Sequence, residues 1–208
     1  MCFPLGAEAP EFRADVLDTL RQPLEQGELV IHRSGGAARY PARFQLVLAA
    51  NPCPCGLAIG KGLDCTCSPT VRRRYFARLS GPLLDRVDVQ VEVHPVGRVE
   101  RAEGTSEATS SVAARVLAAR EAARARLADT SWSTNAEMPG RFLRDLLRPH
   151  PGLFAPIEKA MTDGRLSLRG VDRVLRMAWT IADLAGRAAP TASDVGNALL
   201  LRTGGDHG

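Results

Sequence analysis

The 208 residues are 45% hydrophobic and 24% charged, with a formal net charge of +4, a balance that suits one sizeable domain or two modest ones and excludes collagen-like and wholly disordered chains. No apolar run approaches the ~18 residues of a membrane span, and the first dozen residues hold neither a basic nor an apolar leader region, so the sequence reads as cytoplasmic with no membrane partner. The charge is uneven: between residues 29 and 84 the bases Arg33, Arg39, Arg43, Lys61, Arg72, Arg73, Arg74 and Arg78 face one acid, Asp64, an excess that attracts a phosphate backbone.

Residues 12–26 carry Val16, Leu17, Leu20 and Leu24 at helical spacing, with Pro23 weakening the last turn. Residues 29–31 are β-prone, residues 34–38 form a turn, and the apolar run 44–49 suits a buried strand, so a hairpin is expected whose second arm extends into a sheet. That strand runs out at Asn51-Pro52, which places Asn51 at a strand C-terminus, the edge where open α/β sheets bind ligands. Residues 71–79 read as a basic helix. The strict alternation of residues 87–93 predicts the clearest strand in the chain.

Beyond Val93 the character changes. Residues 94–106, with Pro95, Gly97 and Gly104, read as a linker, and all that follows is helical: residues 110–127, 141–147, 153–162, 167–185 and 191–201. Val112, Val116, Ala119, Ala123 and Leu127 share one face of the first, and Val171, Val174, Leu175, Ala178, Ile181 and Ala182 form the apolar stripe of the longest. Thr191 with Asp194 three positions on has the form of a capping box. The expected organisation is an α/β part over residues 1–96, a linker at 97–108 and a helical part at 109–208.

Four of the five cysteines fall within fifteen residues as Cys53-Pro-Cys55 and Cys65-Thr-Cys67, on either side of a Gly-rich loop. A chain with no secretory signal keeps its thiols reduced. Four thiolates around Zn²⁺ would staple a loop too polar to make its own core; a set of half-buried free thiols is the alternative.

The segments Glu8-Ala-Pro-Glu-Phe12, Val16-Leu-Asp-Thr-Leu-Arg-Gln-Pro-Leu-Glu25, Tyr40-Pro-Ala-Arg-Phe-Gln45, Ala50-Asn-Pro-Cys-Pro-Cys-Gly56, Arg78-Leu-Ser-Gly-Pro-Leu-Leu-Asp-Arg86 and Ser167-Leu-Arg-Gly-Val-Asp-Arg-Val-Leu-Arg176 resemble the Mg-chelatase-like AAA+ ATPases of the competence-protein (ComM/YifB) type. The resemblance runs from Glu8 to about Arg202 and corresponds to the C-terminal portion of such a protein. It implies the C-terminal part of an AAA+ α/β domain followed by a helical lid, and a hexameric ring that handles DNA with ATP and Mg²⁺. By the same resemblance Glu8 polarises the attacking water, Asn51 is the sensor amide, Arg86 is the arginine finger offered to a neighbouring subunit, and Arg169 is the lid arginine that touches nucleotide. The hairpin arginines Arg33, Arg39 and Arg43 then lie where related helicases touch DNA. Phosphoryl transfer is mostly positioning and charge stabilisation, and these are the residue types it uses.

The departures carry equal weight. The position before Glu8, where the family places an Asp for Mg²⁺, is Ala7. No G-x-x-x-x-G-K-[ST] loop occurs, since Gly56-Leu-Ala-Ile-Gly-Lys-Gly62 has the wrong spacing and ends in glycine. The expectation is a truncated or frameshifted portion of a longer ATPase that does not hydrolyse ATP alone. A zinc-stapled nucleic-acid-binding or assembly module without enzymatic activity is the second reading, and a magnesium-chelatase motor subunit the third.

Overall fold

The computed structural model describes residues 2–4, 8–60, 62–93, 107–147 and 151–203. It separates into two compact units, Met1–Val87 and Asp88–Gly208. The linker expected at residues 94–106 lies outside the described residues, and no described helix is long and apolar enough to cross a membrane.

The first unit holds two small sheets. Strand β1 (Cys2–Pro4) pairs in parallel with β4 (Gln45–Val47), with Phe3 opposite Leu46. Strands β2 (Glu28–Arg33) and β3 (Gly36–Pro41) form an antiparallel hairpin closed by Ser34-Gly35. Its second arm does not continue into the sheet as expected. Proline has no N–H to extend a ladder, so pairing stops at Pro41, and β4 joins β1 instead. The run 44–49 is correspondingly a three-residue strand, exposed on either side of Leu46, and not a buried one.

The single helix expected over residues 12–26 is two: α1 (Ala14–Asp18) and α2 (Arg21–Gln26). Pro23 cannot donate to the carbonyl of Thr19, and its ring crowds that carbonyl, so the chain turns at residues 19 and 20. Gly27 ends α2 in the left-handed region (φ 67°), where its N–H reaches the Pro23 carbonyl at 2.8 Å. Helices α3 (Pro69–Phe76) and α4 (Gly81–Leu84) each start at a serine whose hydroxyl accepts a backbone N–H, Ser68 from Val71 and Ser80 from Leu83. The expected strand at residues 87–93 is absent: Gln90 N–H bonds the Leu201 carbonyl, Val91 and Val93 are 65% and 88% exposed, and no described strand pairs with the segment. Alternation fits a strand only where a sheet edge is there to receive it.

The second unit packs α5 (Thr109–Arg126), α6 (Gly140–Leu147), α7 (Ala155–Thr162), α8 (Leu168–Leu184) and α9 (Ala192–Thr203) around Leu127, Met138, Leu143, Leu175 and Val195. The expected stripe of α8 faces this core: Val171, Val174, Leu175, Ala178 and Ala182 are buried, and Ile181 is partly buried against it. On α5 the buried face is shorter than its sequence stripe, because Val112 is 37% exposed and burial begins with Ala119. One buried ionic network ties α5 to α8. Arg126 grips Asp183 with both guanidinium nitrogens at 2.7 and 2.8 Å, donates to Asn135 Oδ1 at 2.7 Å, and lies 4.2 Å over the Trp179 ring. The Thr191–Asp194 box that opens α9 is formed, with Thr191 N–H on the carboxylate at 2.8 Å and Asp194 N–H on the Thr191 hydroxyl at 3.3 Å.

Candidate functional site

Past the end of the parallel pair, the chain brings together two of the expected site residues. The N–H groups of Glu8 and Ala9 both reach the Ala49 carbonyl, at 3.1 and 2.6 Å, and Asn51 Nδ2 donates to Glu8 Oε1 at 2.9 Å. Glu8 has φ 87°, and among the described residues it is the non-glycine residue with positive φ. Such backbone is strained for a side chain and is held by what surrounds it. A short 3-10 turn follows, Ala9–Glu11, with Ala9 fully buried.

Three residues at this place have no role assigned from the sequence. Glu11 returns toward Glu8 on the 3-10 turn, and the hydrogen bond and repulsion between the two carboxyl groups hold Glu11 above the usual carboxylate range. Tyr75, 4% exposed, packs α3 against the turn. Burial pushes its hydroxyl up, opposed by the Asn51 N–H and reinforced by Glu8 and Glu11. Arg78 Nη1 clamps the Pro10 carbonyl at 2.9 Å. The i, i+3 spacing of Glu8 and Glu11 and the lone aromatic pair in a basic helix are the sequence signals that could have found them.

Two residues beyond Asn51 begins the cysteine cluster. Sγ of Cys53 lies 3.2 Å from Cys55 and 3.7 Å from Cys65, Cys55 and Cys65 are 3.8 Å apart, and Cys67 completes a set lying within 4.8 Å of one another. These separations exceed any disulfide bond. Ligands at about 2.3 Å from a tetrahedral Zn²⁺ are about 3.8 Å apart, so the spacing suits four thiolates on one metal. Cys53 is fully buried, which alone would raise its thiol. Hydrogen bonds from the Cys55 thiol, the Ala58 N–H and the Cys65 thiol outweigh that and bring it down to about 6. Cys67, despite a backbone hydrogen bond from Cys55 that favours its thiolate, is pushed up to about 11 by the Cys55 thiol and by burial.

Arg86 departs from expectation. A finger offered to a neighbour points outward; here the side chain is 9% exposed, bound to Glu25 at 2.8 Å and to the Pro82 carbonyl at 2.6 Å. Ser80 caps α4, and the turn that follows aims the guanidinium back at α2. Of the hairpin arginines, Arg39 is paired with Glu28 at 2.6 Å and the Arg43 stem lies along Gly27, while Arg33 at the tip makes no ion pair among the described residues.

In the helical unit, Arg169 stands in the first turn of α8, beside the N–H groups that Ser167 begins to cap. That turn holds no acid. It borders a cleft of about 560 Å³ lined by Leu168, Arg169, Asp172, Arg144, Phe154 and Met161. The charges on its lining balance, Arg144 and Arg169 standing with Asp172 and Glu158, and Arg144 is paired with Asp172.

Residues 5–101 match the family described as magnesium chelatase, subunit ChlI, and residues 106–202 match its C-terminal region. An uncharacterized protein of Mycobacterium tuberculosis is 49% identical over 200 residues, covering 95% of this chain and 39% of the relative. Competence protein ComM of Haemophilus influenzae is 40% identical over 181 residues (86% of this chain, 34% of ComM), and YifB of Escherichia coli is 37% identical over 179 (85% and 34%). The chain thus spans little more than a third of these curated relatives. It belongs to the Mg-chelatase-like family of the competence-protein (ComM/YifB) type.

Proposed function

We propose that this chain supplies part of the working site of an ATP-driven DNA-processing motor of the competence type, with Glu8 and Asn51 as its water-positioning pair. The hydrogen bond between the Asn51 amide and the Glu8 carboxylate carries this reading. It joins an acceptor that can draw a proton from water to a neutral amide that orients without the desolvation cost of a charge. Arg169 in the first turn of α8 contributes the lid contact to nucleotide, Arg86 the finger across a hexameric interface, and the hairpin, led by Arg33, a contact to DNA. Four thiolates spaced for a tetrahedral ion support a structural Zn²⁺ held by Cys53, Cys55, Cys65 and Cys67, which when bound neutralises the crowded sulfurs.

The residues present do not by themselves hold Mg²⁺-ATP, because Ala7 stands where the metal-organising Asp belongs and no phosphate-cradling loop occurs in the sequence. The chain alone should show no sub-millimolar ATP binding by calorimetry with Mg²⁺ present. Fused to the preceding part of a ComM-type relative, it should hydrolyse ATP, and Asn51→Ala and Glu8→Gln should each reduce turnover at least a hundredfold. A fusion that turns over normally with either substitution removes the pair from the reaction. The similarity to ComM over 86% of the chain favours the competence branch over a chelatase motor. The cysteine geometry favours, as a second reading, a zinc-stapled nucleic-acid-binding module without activity, which a folded but inactive fusion would support.

A further inference from the structure

We infer that helix α3 carries a second polynucleotide contact, in which a single strand lies along Arg72, Arg73 and Arg74 with a base against Phe76. The inference rests on the reading that the protein handles DNA, and it places a contact where no motif assigns one.

The helix is held from one side. Tyr75 is its buried residue, and just beyond the helix Arg78 is fixed to the Pro10 carbonyl. At about 100° per residue, Arg72, Phe76, Arg73 and Arg74 follow one another around the rest of the circumference, so the aromatic ring stands between two guanidinium groups. Phe76 is 43% exposed, and an edge-on contact with Tyr75, ring centres 5.3 Å apart, fixes its ring. A rigid exposed ring between arginines is the platform on which single-stranded bases stack while the backbone is tracked by charge.

The charges are left uncompensated. Arg13, Arg21, Arg39 and Arg86 of the same unit all have carboxylate partners. Arg72, Arg73 and Arg74 have none among the described residues, and the sole acid between residues 29 and 84 is Asp64. Three like charges within one turn repel, and a phosphate backbone relieves them. Arginine suits the task better than lysine, since its planar fork meets phosphate oxygens in pairs.

The test uses the whole chain, a fluorescein-labelled oligothymidine of about 20 nucleotides, and fluorescence anisotropy between about 50 and 200 mM salt. Replacing all three arginines by glutamine should weaken binding and make the slope of log K against log salt shallower by about 2, at about 0.7 per lost phosphate contact. The three Arg→Lys changes should keep that slope. Phe76→Ala should weaken binding about fivefold or more with the slope unchanged. Circular dichroism checks that each variant is folded. A triple glutamine variant that keeps the parent's affinity and slope overturns the inference. If the loss follows Arg33→Gln instead, the contact belongs to the hairpin, and the proposed function stands without α3. No oligonucleotide binding by the parent chain also overturns the inference, and the fusion ATPase assay still judges the proposed function independently. Polyglutamate competing as well as DNA at equal charge would assign the face to an acidic protein and overturn it too.

Discussion

Glu25→Gln should separate two roles that Arg86 can play. The Arg86 side chain is 9% exposed and meets the Glu25 side chain, itself 38% exposed, at 2.8 Å. Removing one partner of a buried pair costs about 3–5 kcal/mol, and an exposed pair contributes about 0–1. Glutamine keeps an acceptor and Glu25 is partly solvated, so the substitution should lower stability by about 1–2 kcal/mol, read by urea unfolding of the chain alone. If Arg86 is the proposed finger, the same ion pair must break before it reaches a neighbour's phosphate. In the fusion described above, Glu25→Gln should then raise phosphate release by up to about five- to thirtyfold, the factor that about 1–2 kcal/mol corresponds to. Arg86→Ala should lower it by ~10³ to 10⁵ with ATP binding intact. Arg13→Ala, removing an exposed pair with Asp15, is the neutral control. Arg78 is unsuitable as one, because it clamps Pro10 beside Glu8. If Glu25→Gln loses as much activity as Arg86→Ala, the pair holds Arg86 in its working position. If Arg86→Ala keeps full activity, the finger lies elsewhere.

Protein purified without added metal should carry about one zinc per chain by elemental analysis, and Cys53→Ser should abolish it; zinc near zero with four freely titratable thiols returns the cluster to separate cysteines. Arg126→Met should destabilise the helical unit by about 3–5 kcal/mol in urea, because it leaves Asp183, with a side chain 2% exposed, charged and unpaired; a loss below 1 kcal/mol would show that the network is dispensable. For Asp194, burial pushes the carboxyl up, but hydrogen bonds from the Thr191 N–H and hydroxyl and from Arg187 outweigh it and hold the group below its usual range. A depressed folded value means that its stabilisation is present above the unfolded value of about 3.9 and is lost as pH falls through the folded one. Asp194→Asn should therefore cost about 0.5–2 kcal/mol at neutral pH and progressively less in acid, by unfolding at matched pH; a cost independent of pH would contradict the assignment.

What was legible in the sequence was local. Thr191 and Asp194 announce a helix start because both partners lie within one turn, and the α8 stripe announces a core because its period is that of a helix. Residues 87–93 carry an equally clear period, yet a strand needs a second strand, and sequence pattern says nothing of whether one is in reach. Pro23 marks a weak point in the sequence, but its effect falls four residues earlier, on the Thr19 carbonyl. At the site, Glu8, Asn51 and the four cysteines stand out by motif. Glu11 and Glu25 lie within matching segments and Tyr75 in none, but no role could be read for any of them, since their importance comes from what packs beside them. The inward turn of Arg86 depends on a partner 61 positions away in the chain.

The left-handed backbone at Glu8 sets local stability against chemistry. A side chain in that region costs of order 1 kcal/mol, which glycine would not incur. Glu8→Gly would thus relieve strain while deleting the carboxylate that Asn51 holds. If Glu8 positions water as proposed, a screen that scored only heat resistance would favour that change and return a sturdier, inert protein, and only a screen for turnover would keep the unfavourable geometry.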